Sequence, residues 1–149
     1  MEGFCSTNGA AFSSDSNEWV TPQELFDKLN EEFHFTLDPA STDSNAKCAK
    51  HYTKKDDGLI QDWQGETVFC NPPYGSDLKH WVKKAYEEWL KPNTCVVLLI
   101  PARTDTSYFH DYIYGKAELR FIRGRVKFVR EDGHTGSAPF PSMIAVFRS

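Results

Sequence analysis

Six consecutive apolar residues, Cys95-Val-Val-Leu-Leu-Ile100, constrain this chain more than any other stretch. The run is short, rich in β-branched residues and has no polar face, so it reads as a strand covered on both sides. Strands of that kind belong to α/β sheets with helices above and below. The flanks agree. Thr67-Val-Phe-Cys70 is a second buried strand, halted by Asn71-Pro-Pro-Tyr-Gly75. From about Ser76 to Leu90, the residues Leu78, Trp81, Val82, Ala85 and Trp89 recur at helical spacing, with Pro92 just beyond.

The remaining elements follow the same logic. Thr21-Pro22-Gln23-Glu24 opens a helix, with Thr21 as its cap, Pro22 at the first position and Glu24 completing a capping box. Leu25, Phe26, Leu29 and Phe33 give that helix an apolar face. His34 to Asp38 reads as a short strand, Thr106 to Tyr114 as a helix, and Met143 to Phe147 as a last strand. Glu118–Ile122 and Val126–Val129 are two strands around Gly124 that can pair antiparallel. In such sheets ligands bind at the carboxyl ends of the strands. The loops after Asp38, Cys70 and Ile100 converge on that edge. Residues 1–17, rich in Ser, Asn and Gly, read as a flexible arm, and 18–149 as a single domain.

Charge narrows the function. A net charge of −4 disfavours a protein that coats nucleic acid by bulk electrostatics. No apolar run approaches a membrane span. The cysteines, at 5, 48, 70 and 95, lack paired spacing and read as reduced thiols of a cytoplasmic protein. Cys48 and His51 are half a zinc motif with no second half, so no metal is expected.

The chemistry lies in Asn71-Pro72-Pro73-Tyr74. Two prolines fix φ and remove two backbone donors, which leaves the Pro72 carbonyl a rigid acceptor. The Asn71 side chain supplies a second acceptor and Tyr74 a ring. Two acceptors beside a stacking face suit a planar exocyclic amine. Gripping both N–H bonds favours pyramidalisation and aims the lone pair, so the site works by orientation and electrostatics. Asn is no strong base, so the electrophile must be highly activated, as a sulfonium methyl donor is.

From Trp19 to Phe147 the chain resembles the phage-type DNA N6-adenine methyltransferases. The matching pieces run in one order: Trp19-Val-Thr-Pro22, Leu37-Asp-Pro-Ala-Ser41, Asn45-Ala-Lys-Cys48, Asp57-Gly-Leu59, Gln61-Asp-Trp63, Asn71-Pro-Pro-Tyr74, Pro101-Ala-Arg-Thr-Asp-Thr106, Gly124-Arg-Val-Lys-Phe128 and Ala138-Pro-Phe-Pro-Ser142. The resemblance implies a compact Rossmann-like class I methyltransferase fold, with a mostly parallel sheet, helices on both faces and a C-terminal antiparallel hairpin. It implies S-adenosylmethionine as cofactor and adenine N6 in DNA as acceptor, in a bacterial or phage-infected cytoplasm. Asn71 and the Pro72 carbonyl, with Pro73 keeping the loop rigid, would hold the amine, and Tyr74 would stack on the flipped base, since N6 cannot reach a buried donor while paired. Trp19, Thr21 and Pro22 would fold over the methionine end of the cofactor. Asp38, Pro39 and Ala40 would begin the cofactor loop, and Asp57 and Leu59, with Ile60, would hold its adenine.

Two departures stand out. No Gly-x-Gly follows Asp38-Pro39-Ala40, and only 19 positions separate Asp38 from Asp57, so the ribose-binding element is shortened, with Asp43 a possible substitute. The chain also leaves no room for a separate target-recognition domain. DNA contact falls to a local patch. Between Lys116 and Arg130, six basic residues face Glu118 alone, a segment charge of +5. Arg123, Arg125 and Lys127 are placed to touch phosphates. Lys54-Lys55 and Lys83-Lys84 are further basic pairs. Arg103, Thr104 and Asp105 either line the base pocket or start the next helix, and Phe140 to Ser142 are expected to border the same cleft. The residues leave open another amine acceptor (cytosine N4, RNA adenine or protein glutamine) or a non-catalytic nucleic-acid-binding relative.

Overall fold

A computed structural model describes residues 19–130 and 134–149. The N-terminal arm read at 1–17 lies outside the described residues. The elements are helix α1 (Gln23–Phe33), strand β1 (Thr67–Cys70), helix α2 (Leu78–Trp89), strand β2 (Cys95–Pro101), strand β3 (Glu118–Phe121), strands β4 (Lys127–Val129) and β5 (Thr135–Ser137), and strand β6 (Ser142–Phe147). A short 3-10 turn covers Gly58–Ile60, and a π-helical segment covers Phe109–Ile113.

The apolar run forms the centre of a four-stranded sheet of order β1-β2-β6-β3. Side-chain alternation puts Phe69, Val97 and Val146 on one face, where the Phe69 ring meets Phe26 of α1. Val68, Val96 and Phe147 lie on the other, where Phe147 meets Tyr86 and Trp89 of α2. Helices therefore cover both faces, as the apolar run requires.

The expected mostly parallel sheet is corrected. Among the named strands of the described residues, β1 and β2 alone pair in parallel, joined by the α2 crossover, with Leu37 adding a single parallel bridge to β1; β6 is antiparallel to both β2 and β3. All six positions of β6 are buried, so it takes a central place rather than an edge. The hairpin around Gly124 is corrected as well. β3 pairs with β6, while Lys127–Val129 pairs with Thr135–Ser137 in a second, two-stranded sheet. Gly124, at φ 74°, turns the chain from one sheet to the other, and the antiparallel hairpin is β4–β5.

Smaller expectations shift too. The strand at His34–Asp38 reduces to single bridges, Leu37 to Val68 and Asp38 to His51. Thr21 does not cap α1; Pro22 occupies the cap position without any side-chain hydrogen bond, and Thr21 is buried. The capping box gives way because burying Thr21 takes its side chain off the helix end. The helix read at Thr106–Tyr114 is present over 107–113, and its Phe109–Ile113 part is π-helical.

A buried ionic knot fixes the segment between Asp57 and β1. Glu88 of α2 accepts from the Trp63 N–H at 2.6 Å through one oxygen. Its other oxygen meets Lys91 at 2.7 Å and Lys84 at 3.3 Å. The Trp63 indole in turn donates to the Gly58 carbonyl at 3.0 Å. Replacing Glu88 with Ala is expected to destabilise the fold by about 2–3 kcal/mol, because a buried N–H loses a charged acceptor. Glu88→Gln, which keeps an acceptor for Trp63, should lose less. Urea unfolding of the two variants measures the difference.

Candidate active site

The loops at the carboxyl edge of the sheet enclose a cavity of about 290 Å³. Asn71 and Pro73 form one part of its wall, directly after β1. Asp38, Pro39 and Ala40 form another, and Asp57 and Leu59 a third, with Trp19 and Thr21 from the segment preceding α1. Pieces 52 residues apart in sequence, Trp19 and Asn71, are joined directly, the Asn71 amide donating to the Trp19 carbonyl.

Asp38 is 4% exposed. Its carboxylate accepts the Lys47 N–H at 2.9 Å and the Ala40 N–H at 3.3 Å, folding loop 38–47 around itself. Burial pushes its carboxyl above the usual range, against the pull of those N–H groups. Asp57 caps the 3-10 turn, its side chain accepting from the Leu59 N–H at 3.1 Å. Asp57 sits at φ 58°, a conformation Asp tolerates through such local hydrogen bonds.

Gly58 carries a requirement missed in the sequence. A Cβ there would lie 2.1 Å from the Pro39 carbonyl oxygen. Only glycine lets the 57–59 and 38–40 segments meet. A glycine following Asp57 within a matched segment was the available signal. Thr53, Lys54, Asn45 and Asp77 also line the cavity, places that no motif or spacing in the sequence assigns to its wall.

Asn71 and Tyr74 form a hydrogen-bonded pair. With the Asn71 amide nitrogen turned to Trp19, its oxygen faces the Tyr74 hydroxyl at 2.8 Å. The same hydroxyl lies 3.1 Å from the Leu99 carbonyl in β2. Burial pushes the Tyr74 phenol above its ordinary pKa, so it remains a donor. The Tyr74 ring is 6% exposed and does not line the cavity. It stacks against Trp19 at 6.1 Å between centroids and meets Phe140 edge-on at 5.4 Å. Pro72, buried, and Pro22 also lie outside the lining. Among the described residues no donor takes the Pro72 carbonyl.

Several second-tier residues fall elsewhere. Asp43 is exposed and paired with His51 at 2.9 Å. Burial pushes the Cys48 thiol up to about 12, and no group of three or more His, Cys, Asp or Glu among the described residues is placed to hold a metal ion. Arg103, Thr104, Asp105 and Ser142 do not line the cavity, and Lys84 is held by Glu88.

The basic segment is smaller than its charge of +5. Arg120 is bound to Glu32 through both terminal nitrogens at 2.7 Å and to Glu118 at 2.6 Å. Arg148 joins the same cluster, and the two guanidinium groups, Arg120 first, hold the Glu32 carboxyl at about 2. Arg123, Arg125 and Lys127 are exposed. Arg125 donates to the Ala138 carbonyl at 3.3 Å. β4 turns Phe128 inward against Trp19 and Tyr74 and leaves Lys127 outside, so this strand links the basic surface to the Asn71 loop.

Cavity and sheet edge together define an α/β domain with a proline-rich loop beside its pocket. A family model described as "DNA N-6-adenine-methyltransferase (Dam)" matches residues 9–149, and the chain belongs to that family. It is 28% identical over 139 residues to the DNA N-6-adenine-methyltransferase of Haemophilus phage HP1, spanning 90% of this chain and 80% of that protein. It is 30% identical over 137 residues to the DNA N-6-adenine-methyltransferase of Escherichia phage T1, covering 80% of this chain and 56% of that one. The putative methyltransferase YfdM of Escherichia coli K12 is 38% identical over 65 residues. No helix among the described residues is long and apolar enough to cross a membrane.

Proposed function

We propose that this chain methylates the N6 amine of adenine in DNA, with S-adenosylmethionine as donor, and that residues 18–149 act as one reduced class I methyltransferase domain. The observation that carries this is the opening of the Asn71 loop onto the cavity walled by Asp38, Asp57 and Thr21. Family membership supports it.

The cavity fits such a donor in three respects. The Thr21 hydroxyl is buried with no hydrogen-bond partner among the described residues, and it belongs to the cavity wall. Gly58 leaves a close backbone cradle between two walls. Asp38, a buried carboxylate, suits a ligand that carries positive charge. Trp19, Thr21, Asp38, Pro39 and Ala40 would hold the methionine end, and Asp57 and Leu59 the adenosine end; Pro22 would act from behind Thr21. When bound, the donor supplies an electrophilic sulfonium methyl group. The chain supplies orientation. Asn71 Oδ1 retains a second lone pair beside its contact with Tyr74, and the Pro72 carbonyl is a second acceptor held rigid by Pro73. Tyr74 locks the Asn71 rotamer, and its ring, stacked on Trp19, would form the stacking face of the base site. Transfer leaves a cationic amine whose proton departs to solvent, so no strong base is needed.

DNA would be held through Arg123, Arg125 and Lys127. If all three meet phosphates, log affinity should fall with log salt at a slope of about −2.7, about 0.9 per contact. Arg123→Ala should remove roughly one unit of that slope. Filter binding across a salt series measures it, and a flat response contradicts the assignment. The activity itself is tested by expression in methylation-deficient cells followed by mapping of modified adenines. Genomic DNA free of N6-methyladenine would overturn the proposal.

A further inference from the structure

Resting on that reading, we infer that Phe121 is the wedge that enters the DNA duplex where the target adenine leaves it. Four large apolar side chains are exposed among the described residues: Ile60, Leu90, Tyr114 and Phe121. Topology separates them. Leu90 closes α2 and Tyr114 closes the π segment, both at the amino edge of the sheet, away from the cavity. Ile60 follows the cavity residue Leu59. Phe121, 65% exposed, ends β3. β3 is antiparallel to β6, and β6 is antiparallel to β2, so β3 ends at the same edge as β2 and the Asn71 loop.

The register gives the spacing. Phe121 pairs with Met143, and Met143 pairs with Ile100. The ring therefore stands level with the end of β2. It lies three strands across from β1, which leads into Asn71. At about 4.8 Å per strand that is roughly 14 Å. The separation suits a nucleotide swung out of the stack, with its base at Asn71 and the gap it leaves at Phe121. Proteins that open a base step commonly insert an apolar side chain, which fills the gap and holds the stack apart.

The charged residues around Phe121 fit a duplex. On the opposite face of β3, Glu118 and Arg120 are tied to Glu32 and Arg148. Two residues beyond Phe121, the turn at Gly124 exposes Arg123 and Arg125, of the charge that phosphates flanking an opened step require.

The test compares methyl transfer into genomic DNA from methylation-deficient cells, used as duplex or heat-denatured, with N6-methyl-2′-deoxyadenosine quantified by mass spectrometry. The purified full chain is used throughout. Phe121→Ala should lower the duplex-to-single-strand ratio of kcat/KM at least tenfold, because single strands need no opening. Phe121→Trp should restore the ratio to within threefold of the parent. Tyr114→Ala, an equally exposed ring at the far edge, should leave it unchanged. A ratio within twofold for Phe121→Ala, an equal loss on both forms of DNA, or failure of Phe121→Trp to rescue would overturn the wedge while leaving the proposed activity intact. A parent protein that methylates neither form overturns the activity, and the wedge with it.

Discussion

Asn71→Ala should abolish methyl transfer while leaving the donor bound. Within Asn71-Pro-Pro-Tyr74, it is the side chain that combines an acceptor oxygen with a place in the cavity wall. Its oxygen is aimed by two contacts, the Tyr74 hydroxyl at 2.8 Å and the Trp19 carbonyl that takes the amide. Removing one preorganised group of this kind costs about 10²–10³ in rate. Here the same change also frees Tyr74 and Trp19, so a loss of at least about 10³, or 4 kcal/mol in the barrier, is expected. Cofactor contacts at Asp38, Thr21 and Asp57 remain, so the melting temperature should still rise with S-adenosylmethionine. Asn71→Asp keeps an acceptor facing Tyr74 and should recover part of the rate. Activity of Asn71→Ala near that of the parent would remove Asn71 from the mechanism.

Gly58→Ala should remove donor binding and weaken the fold together. The added carbon meets the Pro39 carbonyl at 2.1 Å and the Trp81 ring at 3.0 Å. A backbone oxygen cannot step aside as a flexible side chain can, so one of the two walls must move. Overpacking of this kind costs about 1–3 kcal/mol, occasionally more. Movement of the wall also pulls the Gly58 carbonyl from the Trp63 indole, now 3.0 Å away. Scanning calorimetry with and without donor reads both effects. The parent should gain about 2.7 kcal/mol at a donor concentration one hundred times its dissociation constant. Gly58→Ala should melt lower and gain little. Unchanged melting and an unchanged donor response would show that the two walls do not need this glycine.

The sequence was most legible where one pattern had one physical meaning. Cys95 to Ile100 had to be covered on both faces, and it is. The loop after Cys70 had to lie at a carboxyl edge because a parallel strand precedes it. Burial does not encode pairing direction, however. Met143 to Phe147 looked like any apolar strand, and nothing local showed that it would insert antiparallel between β2 and β3. Thr21 satisfied every rule for a helix cap, yet its place in the cavity wall overrode that local preference. Charge counting likewise included Arg120 in the basic surface, because its partner Glu32 stands 88 residues earlier in the chain. Gly58 escaped for a similar reason: its constraint comes from Pro39, a contact made only in the folded chain.

The central claim is that the Asn71 loop presents an adenine amine in DNA to a methyl donor held in the neighbouring cavity. Incubating the purified chain with methyl-labelled S-adenosylmethionine and unmethylated DNA, then digesting to nucleosides for mass spectrometry, tests it most directly. The account predicts label in N6-methyl-2′-deoxyadenosine, lost with Asn71→Ala. Label confined to N4-methylcytosine, to RNA or to protein, or no label at all, would contradict it.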